Sequence, residues 1–410
     1  MSESAKTQQR LASIREKVTR GERLSFDDGI ALFLEPDLLA VGQLANDVRE
    51  KRHGDRTYFN RNMRIEVTNV CIASCLFCSF AKLEEHMPDA HTMKLEEAWH
   101  ELEKRMDDPG GPPTEIHVVN GLHPGLPFSY YEELLRGFKR IDPNVHLKCF
   151  TGVEIHFFAQ HYGMTYAEVL ERLRAAGLES LPGGGAEIFD ESVRRKISHD
   201  KATADEYLEV HRVAHRMGMR TNATMLYGHI ETFAHRVDHI LRLRELQDET
   251  KGLQAFIPLA FHPDGNGMKN LPAPTAVDDL RTIAVSRLLL DNVDHIKAYW
   301  VSLTPDVAQV ALRFGADDID GTIVHETIYK AAGTRSPGAL GYEELVRLIR
   351  EAGRIPIERD TLYNVVRELP RAAVPEAALK PIERERVRPR ALPVVQGPPG
   401  PKTTPKEVQS

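Results

Sequence analysis

From residue 62 onward, short apolar runs alternate with longer stretches whose apolar residues recur every three or four positions. Short apolar runs predict buried strands, and longer periodic stretches predict amphipathic helices. The predicted strands are residues 63–67, 115–120, 145–151, 178–181, 220–226, 255–259, 296–301 and 316–319. The predicted helices are residues 95–106, 131–140, 166–176, 204–217, 235–249, 277–292 and 305–314. The alternation predicts an α/β fold, a (β/α)8 TIM-type barrel, with a doubly wound sheet as the alternative.

The predicted barrel occupies residues 61–325 and is preceded by a segment with a different pattern. Residues 1–60 predict an N-terminal helical extension. Ser25 followed by Asp28 is a capping-box pattern, and it stands directly before an apolar run. A second helix is expected after Pro36, where apolar residues lie on one helical stripe.

The chain after the barrel divides into two parts with different composition. Residues 326–369 predict a C-terminal helical segment, with helices at 341–353 and 361–369. Residues 370–410 contain nine of the chain's 25 prolines and few apolar residues. Such a composition cannot bury enough apolar surface to fold, so this part is predicted to be a disordered tail.

Composition and charge exclude several classes of protein. The 410 residues include 53 Lys and Arg against 60 Asp and Glu, which gives a formal net charge of −7. This balance provides no basic surface for nucleic acid. No apolar run approaches the roughly 20 residues of a membrane span, and the N-terminus lacks a signal-peptide pattern. We therefore expect a cytoplasmic protein without nucleic-acid partners or a membrane span.

Three of the four cysteines form the pattern C-x3-C-x2-C, at Cys71, Cys75 and Cys78. They follow a predicted strand, which places them in the first βα loop at the face where barrel enzymes carry their chemistry. Four thiolates saturate a 4Fe–4S cluster, whereas three leave one iron open. An open coordination position is typical of a catalytic metal site. Cys149 lies alone in an apolar run and is interpreted as a buried strand residue.

Two other interpretations of the cysteines remain open. A structural zinc site would need a fourth ligand at a matching spacing, and the neighbouring sequence offers no obvious one. Three buried cysteines could also share a loop by chance. Neither alternative explains the position directly after the first barrel strand as well as an open-iron cluster does.

Residues 67–80 resemble the cysteine motif of the radical S-adenosylmethionine (SAM) superfamily. Phe77 matches the aromatic residue that precedes the third cysteine in that family and lies near the adenine. The resemblance implies two cofactors, a 4Fe–4S cluster on the three cysteines and SAM on its open iron. It also implies reductive cleavage of SAM to methionine and a 5′-deoxyadenosyl radical, with electrons from a donor such as flavodoxin or ferredoxin.

Longer segments resemble the futalosine branch of menaquinone biosynthesis within this superfamily. They are residues 53–60, 68–71, 180–188, 221–232 and 254–263, and residues 281–287, 295–300 and 314–322 most resemble the members that form 6-amino-6-deoxyfutalosine. The similarity extends from about residue 20 to residue 369. It implies a transferase that consumes SAM as a substrate. The radical adds to the enol ether of 3-[(1-carboxyvinyl)oxy]benzoate, and the adduct rearranges and loses its carboxylate.

Several alternatives to this reaction remain, among them those of the deazaflavin-forming and tyrosine-cleaving relatives, which are more distant. The nearest is the formation of cyclic dehypoxanthine futalosine, in which a related enzyme abstracts hydrogen and closes a ring. A zinc-binding scaffold and an electron carrier represent different classes of protein. Products separate the related reactions from the addition reaction, and the metal content of the reconstituted protein separates the last two.

Candidate cofactor-binding residues follow the second to fifth predicted strands. They are Asn120, Glu154, Gly184, Glu187 and Asn222, in addition to Phe77. Gly184 lies in a run of three glycines, where the backbone can approach a ligand or can form a tight turn. Glu187 could accept hydrogen bonds from a ribose or could cap the next helix. Asn120 is assigned by its location alone, since the Gly-Gly-Glu sequence usual in the family is absent.

The implied substrate carries two carboxylates, so the site needs cations or other hydrogen-bond donors. Lys297 lies within a predicted strand and could point into the barrel, whereas Arg281 and Arg287 lie in a predicted helix. Candidate catalytic residues are His229, Glu231 and His262, which follow the fifth and sixth strands. The competing interpretation of His229 and Glu231 is hydrogen bonding within the loop.

Overall fold

The computed structural model describes residues 3–371, except residues 109 and 325. The disordered tail that the sequence predicts at 370–410 lies outside the described residues from position 372 onward. None of the helices within the described range is both long and apolar enough to cross a bilayer.

The described residues form eleven strands and fifteen helices. The strands are β1 Arg56–Asn60, β2 Asn62–Ile65, β3 Glu115–Val118, β4 His146–Cys149, β5 Ser180–Leu181, β6 Arg220–Tyr227, β7 Leu253–Ala260, β8 His295–Ile296, β9 Asp318–Gly321, β10 Ile355–Arg359 and β11 Val365–Glu368. The helices are α1 Glu3–Arg20, α2 Phe26–Leu34, α3 Leu38–His53, α4 Leu95–Glu103, α5 Phe128–Ile141, α6 Gly152–Tyr162, α7 Tyr166–Ala175, α8 Glu191–Ile197, α9 Ala204–Arg216, α10 Phe233–Thr250, α11 Ala276–Leu289, α12 Trp300–Leu303, α13 Pro305–Ala311, α14 Ile328–Ala331 and α15 Tyr342–Glu351.

Strands β2 to β8 form one parallel sheet in chain order. Strand β9 joins the two ends of this sheet through isolated parallel bridges, from Asp318 to Lys297 after β8 and from Val324 to Met63 in β2. A doubly wound sheet reverses its strand order at one point, and this sheet does not. The predicted TIM-type α/β class is therefore confirmed, and each of the eight predicted strands has a counterpart among β2 to β9.

A second sheet of four strands has the order β11-β10-β1-β9. The helix predicted at 361–369 is wrong, because Val365–Glu368 forms strand β11, antiparallel to β10. Its two valines favour a strand, and pairing with β10 overrides the weak helical periodicity. Strand β1 likewise lies inside the segment 1–60 that was predicted to be helical. The helix predicted at 341–353 is confirmed by α15.

Alternation along the strands separates a hydrophobic layer from a polar interior. Ile116, Leu147 and Cys149 are fully buried in the hydrophobic core, as predicted for Cys149. The residues between them, such as His117 and Lys148, line a cavity inside the barrel. Successive residues of a strand point to opposite faces, so the core lies between sheet and helices and the barrel encloses charged side chains.

Candidate active site

The cysteine loop after β2 brings its three thiols to one cavity. Cys71, Cys75 and Cys78 line this cavity, here called the cluster cavity, which has a volume of about 180 Å³. The loop is fixed at both ends by backbone hydrogen bonds. The Cys71 N–H donates to the carbonyl of Lys82 at 2.8 Å, and the Leu76 N–H donates to the carbonyl of Ile197 at 2.8 Å. The thiols are therefore held by a rigid backbone.

The surroundings of the thiols favour the protonated form as long as no metal is bound. Burial raises the pKa of Cys71, and it raises the pKa of Cys75 to about 12. The buried ammonium of Lys201 opposes both shifts. Thiols with such raised pKa values stay protonated at neutral pH unless a metal displaces the proton, so the loop depends on bound metal for its thiolate form.

The three sulfurs do not all lie within 4.8 Å of one another in the described part of the chain. Tetrahedral zinc has Zn–S distances of about 2.3 Å, which places its ligand sulfurs roughly 4 Å apart. Among the described residues, the three-ligand group with all ligand atoms within 4.8 Å of one another is His53, His295 and Asp317, and not the cysteines. A cluster binds each thiolate on a different iron and tolerates the wider spacing.

Lys201 and Glu187 form a buried ion pair beside the thiols. The Lys201 Nζ lies 2.6 Å from the Glu187 Oε1 and 5.6 Å from the centre of the Phe77 ring. Both Phe77 and Glu187 line the cluster cavity. Glu187 has a φ of 49°, which is uncommon for a residue with a side chain. The strained backbone turns the carboxylate toward Lys201, so the helix cap considered for Glu187 is not formed; Asp190 caps α8 instead.

The glycine run after β5 forms part of the same wall. Gly184 lines the cluster cavity, and a Cβ on Gly183 would lie 2.7 Å from the backbone of Ala223. Gly185 has a φ of 89°, and its carbonyl accepts a hydrogen bond from Arg194. The tight turn considered for this run is therefore present at Gly185, and close packing on the backbone of Ala223 requires a glycine at position 183.

Glu154 and Asn120 meet on the opposite side of the cluster cavity. The Glu154 Oε1 accepts hydrogen bonds from the Asn120 backbone N–H at 3.1 Å and from its side-chain amide at 3.3 Å. The other oxygen accepts from the Thr151 N–H at 2.8 Å. Burial raises the pKa of Glu154 to about 7 despite these hydrogen bonds. The structure thus brings the two predicted cofactor residues together.

A second cavity, here called the barrel cavity, opens from the cluster cavity into the barrel. It has a volume of about 210 Å³. Its apolar wall residues include Leu226 of β6, Ile257 and Leu259 of β7, and Phe261 and Ile328. The two cavities share several wall residues, namely Phe77, Cys78, Val119, Gly184, Gly185, Glu187 and Ile328. A ligand in either cavity therefore contacts the same wall.

His262 and Asn222 line the barrel cavity. The His262 Nε2 lies 2.9 Å from the carbonyl oxygen of Ser302. A carbonyl only accepts hydrogen bonds, so Nε2 carries the proton and Nδ1 is an acceptor. Burial lowers the pKa of His262, which keeps the ring neutral. Asn222 is 3% exposed, and its Oδ1 has no hydrogen-bond partner among the described residues.

His229 and Glu231 do not line either of these cavities. Glu231 accepts hydrogen bonds from the backbone N–H groups of Gly228 and His229 and pairs with Arg236 at 2.8 Å. The His229 Nε2 lies 3.2 Å from the carbonyl of Leu226. Loop hydrogen bonding, the competing interpretation of these two residues, accounts for both. The geometry gives no support to the catalytic role predicted for them.

The two helical arginines and the strand lysine that the sequence suggested as substrate-binding cations lie in different parts of the structure. Arg281 donates to the carbonyls of Leu32 and Glu35, and Arg287 pairs with Asp317, so both connect elements of the fold. Lys297 lines the barrel cavity, 3.3 Å from the Asp320 carboxylate. Of the three cations considered from the sequence, the structure brings Lys297 to the site.

Sequence analysis missed several charged or ionisable residues of the site, among them Arg64, His117 and Lys201. Arg64 and His117 lie on β2 and β3 at paired positions and both line the barrel cavity. Polar residues within otherwise apolar predicted strands were the signal that could have identified them. Lys201 follows α8 in an irregular segment, and no local pattern marks it.

Two family models match the chain. The model of the radical SAM superfamily matches residues 65–243, and the model of the CofH/MqnC C-terminal region matches residues 250–373. The first match contains the cysteine loop and the glycine run. The second contains β7, His262 and Lys297. Together they include the lining residues of both cavities except Arg64.

Relatives match over most of their length. The aminodeoxyfutalosine synthase of Thermus thermophilus is 50% identical over 87% of this chain and 96% of its own. The enzyme with this name from Streptomyces coelicolor is 48% identical over 87% of this chain and 94% of its own. The cyclic dehypoxanthine futalosine synthase of Halalkalibacterium halodurans is 35% identical over 86% of this chain and 94% of its own.

Solved structures share the fold at low sequence identity. The FeFe-hydrogenase maturase HydG from Carboxydothermus hydrogenoformans has a TM-score of 0.68 at 17% identity, covering 87% of this chain and 81% of its own. Methylornithine synthase (PylB) has a TM-score of 0.63 at 18% identity, and the match covers 84% of this chain and 97% of its own. These similarities concern the fold alone.

Proposed function

The chain belongs to the radical SAM superfamily, and we propose that it acts as an aminodeoxyfutalosine synthase. In this proposal the 5′-deoxyadenosyl group of SAM is transferred to the terminal CH2 carbon of the enol-ether double bond of 3-[(1-carboxyvinyl)oxy]benzoate. Rearrangement and loss of the carboxylate then give 6-amino-6-deoxyfutalosine for menaquinone biosynthesis. Identity of 48–50% to two enzymes of that name over nearly their whole length supports this choice.

One observation carries the proposal, namely that the cluster cavity and the barrel cavity share a wall. An addition reaction needs the cofactor fragment and the acceptor double bond in contact while water is kept away. Phe77 and Gly184 belong to both cavities, so ligands in the two cavities meet there.

Cys71, Cys75 and Cys78 would hold the 4Fe–4S cluster, and the open iron would hold SAM. When bound, the cluster supplies the electron that cleaves SAM. Phe77 offers a flat apolar face for the adenine. Glu187 and Glu154 offer carboxylate oxygens to the hydroxyl and amino groups of SAM, and the glycine run lets the ligand approach the backbone.

The barrel cavity suits an aromatic acceptor. Leu226, Leu259 and Phe261 provide an apolar wall for a benzene ring. His262 holds its proton on Nε2 toward Ser302, so its Nδ1 can accept a hydrogen bond from a ribose hydroxyl or the adenine amino group of SAM or of the product. A soluble one-electron donor such as flavodoxin or ferredoxin would complete the reaction.

A product assay tests the proposal. The protein is reconstituted anaerobically with iron and sulfide, reduced, and incubated with SAM and 3-[(1-carboxyvinyl)oxy]benzoate. We expect an adenine-containing adduct of the mass of 6-amino-6-deoxyfutalosine, formed together with methionine. Free 5′-deoxyadenosine and methionine without the adduct would contradict the addition reaction. They would favour hydrogen abstraction, as in the cyclic dehypoxanthine futalosine synthase that is 35% identical.

A further inference from the structure

The interior end of the barrel cavity carries a layer of ionisable side chains on neighbouring strands, here called the floor. It consists of Arg64, Glu115, His117, Lys148, Lys297 and Asp320. Arg64 pairs in register with His117, and His117 pairs in register with Lys148. These three basic residues therefore stand side by side in one inward-facing layer.

The cations of the floor differ in how they are neutralised. Lys148 lies 2.8 Å from the Glu115 carboxylate, and Lys297 lies 3.3 Å from that of Asp320. Both carboxylates line the cavity beside their cations. Arg64 instead pairs with Glu326 at 2.8 Å, and Glu326 does not line the cavity. Arg64 is therefore the floor cation whose direct ion-pair partner lies outside the cavity lining.

Two atoms of this layer are buried without a partner. The Nε of Arg64 and the Nε2 of His117 have no hydrogen-bond partner in the described part of the chain. A guanidinium carries five N–H donors in a planar fork that matches a carboxylate. Unpaired buried polar atoms are rare in folded proteins, and here they border a cavity.

The geometry of the proposed substrate determines which of its carboxylates reaches the floor. One carboxylate is attached to the enol-ether carbon and must stay near the cluster end, where the double bond reacts. The other stands on the far side of the benzene ring. Arg64 lies within β2, whereas the cysteines follow in the loop beyond that strand. The ring carboxylate therefore points away from the cluster and toward Arg64.

We infer that Arg64 binds the ring carboxylate of the substrate and thereby selects a dicarboxylate over a monocarboxylate enol ether. This inference rests on the proposed function. His117 stands beside Arg64 in the layer, and its neutral ring can add one hydrogen bond to the same carboxylate. The apolar walls of the cavity then enclose the benzene ring, and the enol ether is left at the wall shared with the cluster cavity.

Binding without turnover tests the inference. The cluster-loaded enzyme with SAM but without reductant is titrated calorimetrically with 3-[(1-carboxyvinyl)oxy]benzoate and with 2-phenoxyacrylate, which lacks the ring carboxylate. We expect Arg64→Lys to weaken binding of the dicarboxylate about 10- to 100-fold, because a bidentate charged contact is lost. Binding of 2-phenoxyacrylate should change less than about threefold.

Two further variants separate this contact from general damage. Arg61→Lys is the matched control, because Arg61 also pairs with a buried glutamate, Glu358, but does not line the barrel cavity. It should bind both compounds as the unsubstituted enzyme does. Glu326→Gln removes the carboxylate that competes for Arg64 and should tighten dicarboxylate binding a few-fold. This gain of affinity is a result that a damaged fold cannot produce.

The outcomes distinguish the two proposals. If the unsubstituted enzyme binds neither compound, the proposed function fails and the inference fails with it. If it binds the dicarboxylate but Arg64→Lys weakens both compounds equally or neither, the inference alone is overturned. If the Arg64→Lys variant does not fold, the Glu326→Gln variant decides. An unchanged affinity for the dicarboxylate in the Glu326→Gln variant contradicts the inference.

Discussion

The barrel buries ionisable side chains both at the floor and at the amino ends of β8 and β9. The second group, here called the amino-end cluster, consists of Asp317, Arg287 and His295. Asp317 and Arg287 are both fully buried. The Asp317 carboxylate accepts hydrogen bonds from the Arg287 guanidinium, from the His295 Nδ1 at 2.6 Å and from the Ile296 N–H at 2.8 Å. Arg287 also donates to two backbone carbonyls at 2.8 Å.

The two groups bury charge to a similar extent but differ in how completely their atoms are paired. Burial alone would raise the pKa of Asp317, yet His53, His295 and Arg287 hold it well below its usual value. At the floor, the Nε of Arg64 finds no partner within the described ranges. A saturated group connects elements of the fold, whereas an unsaturated group beside a cavity has donors left for a ligand. Between these two groups, the difference lies in pairing and in position beside the cavity, and not in burial.

The largest effect we expect concerns the thiols, where the same comparison applies to one residue type. Replacing Cys71, Cys75 or Cys78 by Ala should abolish the brown 4Fe–4S absorption and all product formation, because two thiolates do not hold the cluster. Cys149→Ala is the matched control, because Cys149 is equally a buried thiol but faces the core. Iron and sulfide analysis after anaerobic reconstitution measures the result. Zinc at one ion per chain in the unsubstituted protein would contradict the cluster.

Substitution in the amino-end cluster should lower the free energy of unfolding. Asp317→Asn keeps the shape of the side chain but leaves Arg287 buried without its counter-charge. We expect a loss of about 3–5 kcal/mol in the free energy of unfolding, measured by urea denaturation. The control is Asp205→Asn, which breaks the ion pair with Arg242 at a carboxylate that is 91% exposed. That exposed pair should contribute below about 1 kcal/mol. Equal losses of unfolding free energy in the two variants would show that the buried pair at the amino ends stabilises the fold no more than the exposed pair does.

The cysteine loop and the floor differ in how far they could be predicted from the sequence. The cysteines are close together in the chain, and their ligand chemistry limits the spacing, so the cluster cavity could be predicted from one segment. The floor takes one or two residues from each of several strands, and Arg64 next to His117 exists only after β2 and β3 pair. Barrel strands such as β7 were predictable because they form compact, mainly apolar runs. Strand β11 was not, because pairing with a distant strand decides it.

Buried histidines without a facing carboxylate give a smaller, pH-dependent effect. Burial lowers the pKa of His239 to about 3, and its Nε2 lies 2.9 Å from the Thr224 carbonyl. The unfolded chain protonates this histidine near pH 6.5, well before the folded chain does. Stability should therefore fall as the pH decreases below 6.5, by about 2 kcal/mol at pH 5 from this residue.

His239→Gln stays neutral at every pH and serves as the comparison for this effect. Between pH 7 and pH 5, the free energy of unfolding of this variant should fall less than that of the unsubstituted protein, by about 2 kcal/mol. Urea denaturation at a series of pH values measures both slopes. If the free energy of unfolding of the two proteins falls equally with decreasing pH, His239 is already charged in the folded protein. His239 would then not be an example of a buried group that lacks a counter-charge.

The smallest effect should occur at Asn222, and it should run opposite to that of Asp317. Its Oδ1 is buried in the barrel cavity without a partner among the described residues. Asn222→Leu replaces this atom by an apolar group of similar volume, so the melting temperature should stay constant or rise slightly. Affinity for SAM or for the enol ether should fall about tenfold, which corresponds to about 1.4 kcal/mol. Asn222 would instead belong to the saturated, structural group if the variant lost more than about 2 kcal/mol of stability and kept its affinities. In that case an unpaired buried atom beside the cavity would no longer mark a binding residue.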